Sequence, residues 1–447
     1  MNRTTADPEA GFPLTAEQEE WVRGAQELVT EDRLRELIVG MVAIPSPTGE
    51  EGALAEHLAR EMAGAGIPAR VQPLDDAQAN AVGRLAGDGS GADLLLYAPI
   101  DTLTDGTVAA DVPWIGDELR PDMVADPVVD GPYVTGLGAS NPKGHGACVL
   151  AAAEAVAAAG VPLRGALLVG FGAGGMPTNA RGAGGRDIGH GVGCSFMLEQ
   201  GVAADAAIIA KPGWTVSWEE VGLAWFEVRV RGTHTYVGSR HRLPFRDPIV
   251  DAATVISELE AWFPLYTERH TDGTVAPQAI IAAIEGGWWR TAAVTPALCR
   301  FLVDVRISPR SDPAAVAREF GEAVSAIRSR HDGLVAEWDM VVAIPGTATP
   351  VDHPIVATTV EAWVAAEGSA HEVIVGNSGA TDANILRSRG LPTVRIGMPK
   401  VTDLAETVDF ARGMNTVDVR EMERLTRLLV RASVNFCTRE RSAVVPS

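Results

Sequence analysis

Three short runs of this sequence are almost wholly apolar, and each stops abruptly in a polar loop. Asp93 to Ala98 runs into Pro99-Ile-Asp-Thr102, Gly165 to Gly170 into a glycine-rich loop, and Ala206 to Ala210 into Lys211-Pro-Gly-Trp214. A strand with one wet face alternates polar and apolar residues; these do not, so both of their faces must be covered. The expected architecture is a helix-covered sheet of the α/β class. In an open sheet of that kind the ligand crevice lies beyond the carboxyl ends of the strands. Asp101, the loop after Gly170 and Lys211 are therefore expected to converge.

Between the first two runs lies Val134 to Leu150, a tight glycine turn (Gly136, Gly138) leading into an alanine-rich helix over 143–159. Asn141, Lys143 and His145 fall in its first turn, where helix amides and the helix dipole face outward. One reading makes this stretch a reactive site. The other makes Asn141 an ordinary cap, Pro142 a favoured first helical residue, and Lys143 and His145 solvated. Earlier in the chain, residues 1–14 are expected to be disordered and helices to span 16–28 and 31–42. Thr48 and Glu51 have the spacing of a capping box for a third helix ending near Ala63. Short strands follow at 68–73 and 80–85.

The character changes near Trp218. Trp225-Phe-Glu-Val-Arg-Val-Arg231 alternates as a half-exposed strand does. With helices at 248–262 and 313–330 and strands near 277–285, 298–306 and 335–343, it completes a β-α-β-β-α-β set. The strand and helix alternation of the first part then resumes from His353. The expected organisation is thus a catalytic-type α/β domain over 15–222 and 345–440, with a mixed, helix-covered sheet, interrupted by an inserted α+β domain over 223–344. A chain of 447 residues exceeds one ordinary core, which agrees with two domains.

The net charge of −21 argues against a nucleic-acid partner, which requires a basic face. The first residues lack the apolar core of a signal peptide and no run approaches a membrane span, so a cytoplasmic protein with no membrane partner is expected. The four cysteines are scattered and read as reduced, Cys148 being either a buried small residue or a border of the crevice. Gly170-Phe-Gly-Ala-Gly-Gly175 fits a dinucleotide fingerprint, but the residues after it are broken by proline and glycine where the required helix should start. No NAD, FAD or other cofactor is expected, and the substrate is expected to be a small molecule.

Ile44-Pro-Ser with Gly49-Glu-Glu, Ile100-Asp-Thr, Gly136-Leu-Gly with Lys143-Gly, Asp304-Val-Arg306, and Gly379-Ala-Thr-Asp-Ala383 followed by Gly390-Leu-Pro-Thr occur in this order. In that order and spacing the chain resembles the two-zinc aminoacylase and exopeptidase family that includes acetylornithine deacetylase, succinyl-diaminopimelate desuccinylase and the carboxypeptidase G type. The resemblance covers nearly everything from about residue 30 to 435. It implies that the inserted domain is a lid and dimerisation domain, and that the protein is a homodimer through it. It also implies substrate contacts from Lys143, Arg306, Gly379 and Thr381. The segment from Val230 to His241 occupies the place of a histidine that reaches across the dimer; His234 is the favoured match, the spacing selects Tyr236, and Arg240 and His241 are alternates. The peptide after the family's bridging aspartate is typically cis, so the resemblance implies a cis Asn141-Pro142 bond.

The family's zinc ligands, carried over position by position, are replaced. The first histidine falls on Pro99, the bridging aspartate on Asn141, and the paired glutamates on Gly174 and Gly175. The next acidic ligand falls on Lys211 and the last histidine near Ala411; Asp101 alone is retained. No metal is therefore expected, since two-zinc hydrolysis needs these ligands and a glutamate base. The remaining tools are Lys211 as a base or nucleophile, His145 as a proton exchanger, Asp101 orienting either, and Asn141 holding an oxyanion. The leading expectation is a metal-independent enzyme acting on an amide, imide, hydrazide or similar C–N bond of a small polar metabolite. The competing classes are a non-catalytic pseudoenzyme and an acyl-transfer, condensation or rearrangement enzyme.

Overall fold

The structure, a computed structural model, describes residues 12–178, 188–404 and 408–445. Of the N-terminal segment expected to be disordered, residues 1–11 lie outside the described residues. Phe12 and Pro13 are tied down, their carbonyls accepting from Asn435 and Arg439. Helices α1 (Ala16–Gln26) and α2 (Glu31–Val42) begin at Thr15 and Thr30, whose hydroxyls accept from backbone N–H groups three residues on. Helix α3 (Gly52–Gly64) starts without a side-chain cap, contrary to the capping box read from Thr48 and Glu51. Both side chains are drawn instead to the neighbourhood of Asp101.

The chain divides into two compact units. The first, which ends its opening stretch at Trp218 and is completed by Thr349–Val373 and the described residues from Thr381 on, is built on a mixed sheet. Its strands are β1 (Ala69–Pro73), β2 (Ala79–Leu85), β3 (Leu94–Pro99), β4 (Leu167–Gly172), β5 (Ala206–Ala210) and β6 (Thr393–Ile396). Their spatial order is β1-β2-β4-β3-β5-β6, with the last four parallel and β1 and β2 antiparallel at one edge.

The continuous apolar runs are explained by two separate cores. Leu94, Leu96 and Ala98 of β3 face one core together with helices α4 (Lys143–Ala158), α6 (Pro354–Glu367) and α8 (Val419–Cys437). Leu95 and Tyr97 face the other, made with Cys194 and Met197 of α5 (Val192–Glu199) and Leu386 of α7 (Ala383–Ser388). With successive side chains on opposite faces, a polar group at any position of such a strand is buried and must find a partner inside the fold.

The second unit comprises Glu219–Ala348 and Ile374–Ala380. Its strands and helices run Gly222–Arg231, Pro248–His270, Ala279–Gly286, Leu298–Ile307, Pro313–Arg330 and Val335–Ile344, the expected β-α-β-β-α-β order. The four strands are antiparallel, with Ala279–Gly286 and Val335–Ile344 at the two edges. Ala224, Phe226, Val228 and Val230 are buried against the helices while Trp225, Glu227 and Arg229 between them are half-buried. The first helix continues past Trp262 and through Pro264 because Phe263 and Tyr266 are buried beyond it. Residues 374–380 join this unit through backbone and side-chain hydrogen bonds of Asn377 and Ser378 to Thr274, Ala276 and Gln278.

Phe226 is fully buried and stacks on Phe320 with ring centroids 4.1 Å apart. Phe226→Ala is expected to destabilise this unit by about 3–5 kcal/mol, because a large cavity replaces the ring. Urea denaturation measures it, and a loss below about 1 kcal/mol would contradict this packing.

Candidate active site

All four parallel strands end on one edge of the first sheet. Beyond those ends stand Asp101 after β3, Gly174 and Gly175 after β4, Lys211 after β5, and Gly397 with Met398 after β6. Helix α4 starts at the same edge, with Asn141 ahead of its first turn. This is the crevice the strand endings predict.

Lys211 and Asn141 meet there. Lys211 Nζ donates to Asn141 Oδ1 at 3.1 Å, and Asn141 Nδ2 lies 3.2 Å from Met414 Sδ. Asn141 therefore does not cap α4; the residue ahead of the helix is Pro142, which offers no side-chain cap. The Asn141-Pro142 peptide is cis, as the resemblance implied. Ser140 and Asn141 hold their backbone in place by donating both N–H groups to Met414 O, at 2.9 and 3.0 Å.

Asp101 is fully buried and saturated with donors. Oδ1 accepts from Gly175 N, and Oδ2 from Met176 N and from Thr48 Oγ1, each at 2.8 Å. Burial raises its pKa, while these hydrogen bonds and the positive charge of Lys211 pull it back. Glu51, also fully buried, accepts from Gly49 N and Gly174 N at 2.9 Å each, and burial followed by the charge of Asp101 pushes its pKa up to about 8. The glycines thus act through their backbone. Their amides point at two buried carboxylates, and a Cβ on Gly175 would stand 2.4 Å from Pro99 Cβ. The rest of the glycine-rich loop, residues 179–187, lies outside the described residues.

Lys143 and His145 correct the expectation that they face outward. Both are fully buried. Lys143 Nζ donates to Ile44 O at 2.7 Å, and burial brings its pKa down to about 7; it has no surface on which to touch a substrate. His145 Nδ1 donates to Ser140 O at 2.7 Å, and Nε2 accepts from Met398 N at 3.2 Å. Burial, the largest cause, together with the positive charges of Lys211 and Arg395, lowers its pKa to about 3. The ring is a neutral tie between α4 and the segment after β6, which does not suit a proton exchanger at neutral pH. Cys148 is likewise structural, its thiol pushed up to about 12 by burial.

The structure adds residues that spacing did not single out. Tyr97 donates to Asp382 Oδ2 at 2.6 Å, both side chains being buried. The alternation of β3 already turned Tyr97 away from the first core, but only the fold brings Asp382 to it. Thr381 Oγ1 accepts from Ala383 N at 3.2 Å at the start of α7.

The remaining expected residues belong to the second unit. His234 is exposed, with Nδ1 2.8 Å from Thr295 O. Tyr236 is exposed and lines a cavity of about 410 Å³ with Arg240, Trp288 and Trp289. His241 Nε2 accepts from Arg242 Nε at 2.9 Å. Arg306 Nε lies 3.1 Å from Asp304 Oδ1, and Gly379 N donates to Asn377 Oδ1 at 3.0 Å.

A pair of zinc ions does not fit the described residues of this crevice. Two dications need carboxylate and imidazole ligands with free lone pairs and a carboxylate between them. Here an amide bearing an ammonium group stands in the bridging place, and the retained Asp101 has both oxygens occupied. Among the described residues no group of three or more His, Cys, Asp or Glu is placed to hold a metal ion. Among them, too, no helix is long and apolar enough to cross a membrane.

No family model matches the chain. Among solved structures it is similar to aminopeptidase PepT from Bacillus cereus, with 18% identity and a TM-score of 0.64 over 92% of this chain and 99% of that one. It is also similar to the dipeptidase Dug1p from Saccharomyces cerevisiae, with 11% identity and a TM-score of 0.69 over 95% and 99%. A third is the M20 family metallo-carboxypeptidase Sso-CP2 from Sulfolobus solfataricus, with 14% identity and a TM-score of 0.65 over 91% and 99%. The chain has the fold of these peptidases, with their helix-flanked mixed sheet and second α+β domain.

His145 gives a direct check on this geometry. A histidine held at a pKa near 3 when folded and near 6.5 when unfolded leaves the unfolded chain binding the extra proton between those values. Stability is then full above pH 6.5 and falls as the pH drops towards 3, by up to about 1.4 kcal/mol per pH unit. His145→Gln is expected to flatten that part of the stability profile, as followed by urea unfolding. An unchanged acid limb would contradict a neutral, buried ring.

Proposed function

We propose that this protein cleaves an amide-type C–N bond of a small polar metabolite without a zinc pair, Lys211 carrying the reaction. The observation that carries the proposal is the Lys211–Asn141 contact at 3.1 Å, beyond the ends of the parallel strands. The fold shared with peptidases supports the bond type. An ammonium group set in a crevice with low-dielectric walls stabilises the negative charge that grows on a carbonyl oxygen when water adds to it. The carbon–nitrogen bond then breaks, and the proton lost by water ends on the leaving nitrogen. His145 is tied up on both nitrogens and Asp101 on both oxygens, so neither is assigned the base. With no strong base, the substrates best matched are activated ones such as imides, hydrazides and acyl groups on weakly basic nitrogen. Asn141 positions Lys211, and the Asp101 and Glu51 carboxylates anchor the glycine segment.

A second reading is favoured by the same saturation of Asp101 and His145: a protein that binds such a ligand without turning it over. Turnover separates the two. A panel of imides, hydrazides and N-acyl amino acids is followed by proton NMR for the appearance of free amine and carboxylate. The catalytic reading predicts turnover by the wild type and a loss of about 100- to 1000-fold in Lys211→Ala, the cost of removing an oxyanion donor. Full turnover by Lys211→Ala would reject it, and no turnover of any class by the wild type would favour the binding reading.

The homodimer is part of the proposal. Ala279–Gly286 is a sheet edge on which Ile280 and Ile284 are each 57% exposed, and an unpaired apolar edge invites pairing with a second copy. Sedimentation equilibrium is expected to give a dimer for the wild type and a monomer for Ile284→Lys, whereas a dimer in both would place the interface elsewhere.

A further inference from the structure

Asn141 is shared between the crevice and a cavity of about 330 Å³ in the same unit. On one side its amide receives Lys211; on the other it forms part of a wall with Leu103, Trp114, Met123, Leu137, Phe410 and Met414. The cavity lies within the size range of small-molecule sites. Several of its polar lining groups are already engaged within the protein. Thr102 donates to Thr104 O, Asn415 Oδ1 accepts from Gly138 N, and Asp409 accepts from Arg120 and from Arg412 N. Among the described residues no lysine, arginine or histidine lines it, and Asp409, the one lining carboxylate among them, is paired. The walls therefore offer an entering group chiefly apolar contact.

The surroundings point the same way. Trp114, Phe410 and Leu103 are 83%, 65% and 44% exposed, an unusual amount of large apolar surface left around one opening. A ligand group covering them would remove that surface from water.

We infer that this cavity is a specificity subsite for an uncharged apolar group, aromatic or branched aliphatic, carried by the substrate next to the carbonyl that Lys211 polarises. The inference rests on the amide-type reading of the crevice and narrows it. The substrate has a polar C–N centre at Lys211 and an apolar arm past Asn141. Charged arms are disfavoured because the described lining residues offer no unpaired counter-charge to offset their desolvation.

The test is equilibrium binding to the full chain by isothermal titration calorimetry. The probes are N-acetyl-phenylalaninamide, N-acetylglycinamide and N-acetyl-aspartic acid amide. The wild type is expected to bind the phenylalanine probe at least tenfold more tightly than either of the others. Trp114→Ala and Phe410→Ala, both at exposed positions that the fold tolerates, are expected to bring that preference below threefold. Equal binding of the three probes, no measurable binding of the phenylalanine probe, or a preference that survives in both variants would overturn the subsite. Lys211→Ala separates this from the catalytic reading, since it should keep the tenfold preference while turnover is lost. Full turnover in Lys211→Ala with the preference intact would sink the role of Lys211 and leave the subsite standing.

Discussion

The first unit is governed by the requirement that four parallel strands be buried on both faces. A βα crossover covers each face with helices, so the strands are mostly apolar, and the few polar side chains on them, such as Tyr97 on Asp382, are paired inside the fold. Leu94 to Pro99 shows this, as every residue is buried and alternate ones serve different cores. Most polar chemistry is thereby displaced to one edge, where Asp101, Lys211 and the first turn of α4 collect.

At that edge the balance of charge decides what each group does. Asp101 and Glu51 are buried carboxylates, and an unpaired one would be expensive. The segment after β4 answers with backbone amides from Gly174, Gly175 and Met176, and the two glycines stand where a Cβ would have no room. His145 shows the same economy, bridging Ser140 and Met398 through one fixed tautomer. These groups hold the crevice together, and Lys211 and Asn141 meet beside them.

The sequence made the architecture legible because its signals were periodic. Unbroken apolar runs marked the buried strands, and the alternation from Trp225 to Arg231 marked the half-exposed sheet of the second unit. The site was legible by position and much less so by role. Asp101 and Lys211 were placed at strand ends and Asn141 at a helix start, but local spacing gave Thr48 and Glu51 to a capping box and offered Lys143 and His145 to solvent or to a substrate. Those errors share a cause. Whether a polar residue at a helix start faces water or a second layer depends on what packs over it, here the Ile44 carbonyl and the segment at Met398, which are distant in sequence. Tyr97 and Asp382, 285 positions apart, were beyond any local pattern.

The central claim is that a lysine ammonium, held by an asparagine, stands in this crevice in place of a metal pair. The most direct measurement is the zinc content of the purified protein, prepared without chelator, incubated with excess zinc and desalted. The account predicts far less than one zinc per chain and the same value for Lys211→Ala. About two tightly held zinc ions per chain would contradict it and return the crevice to metal-dependent hydrolysis.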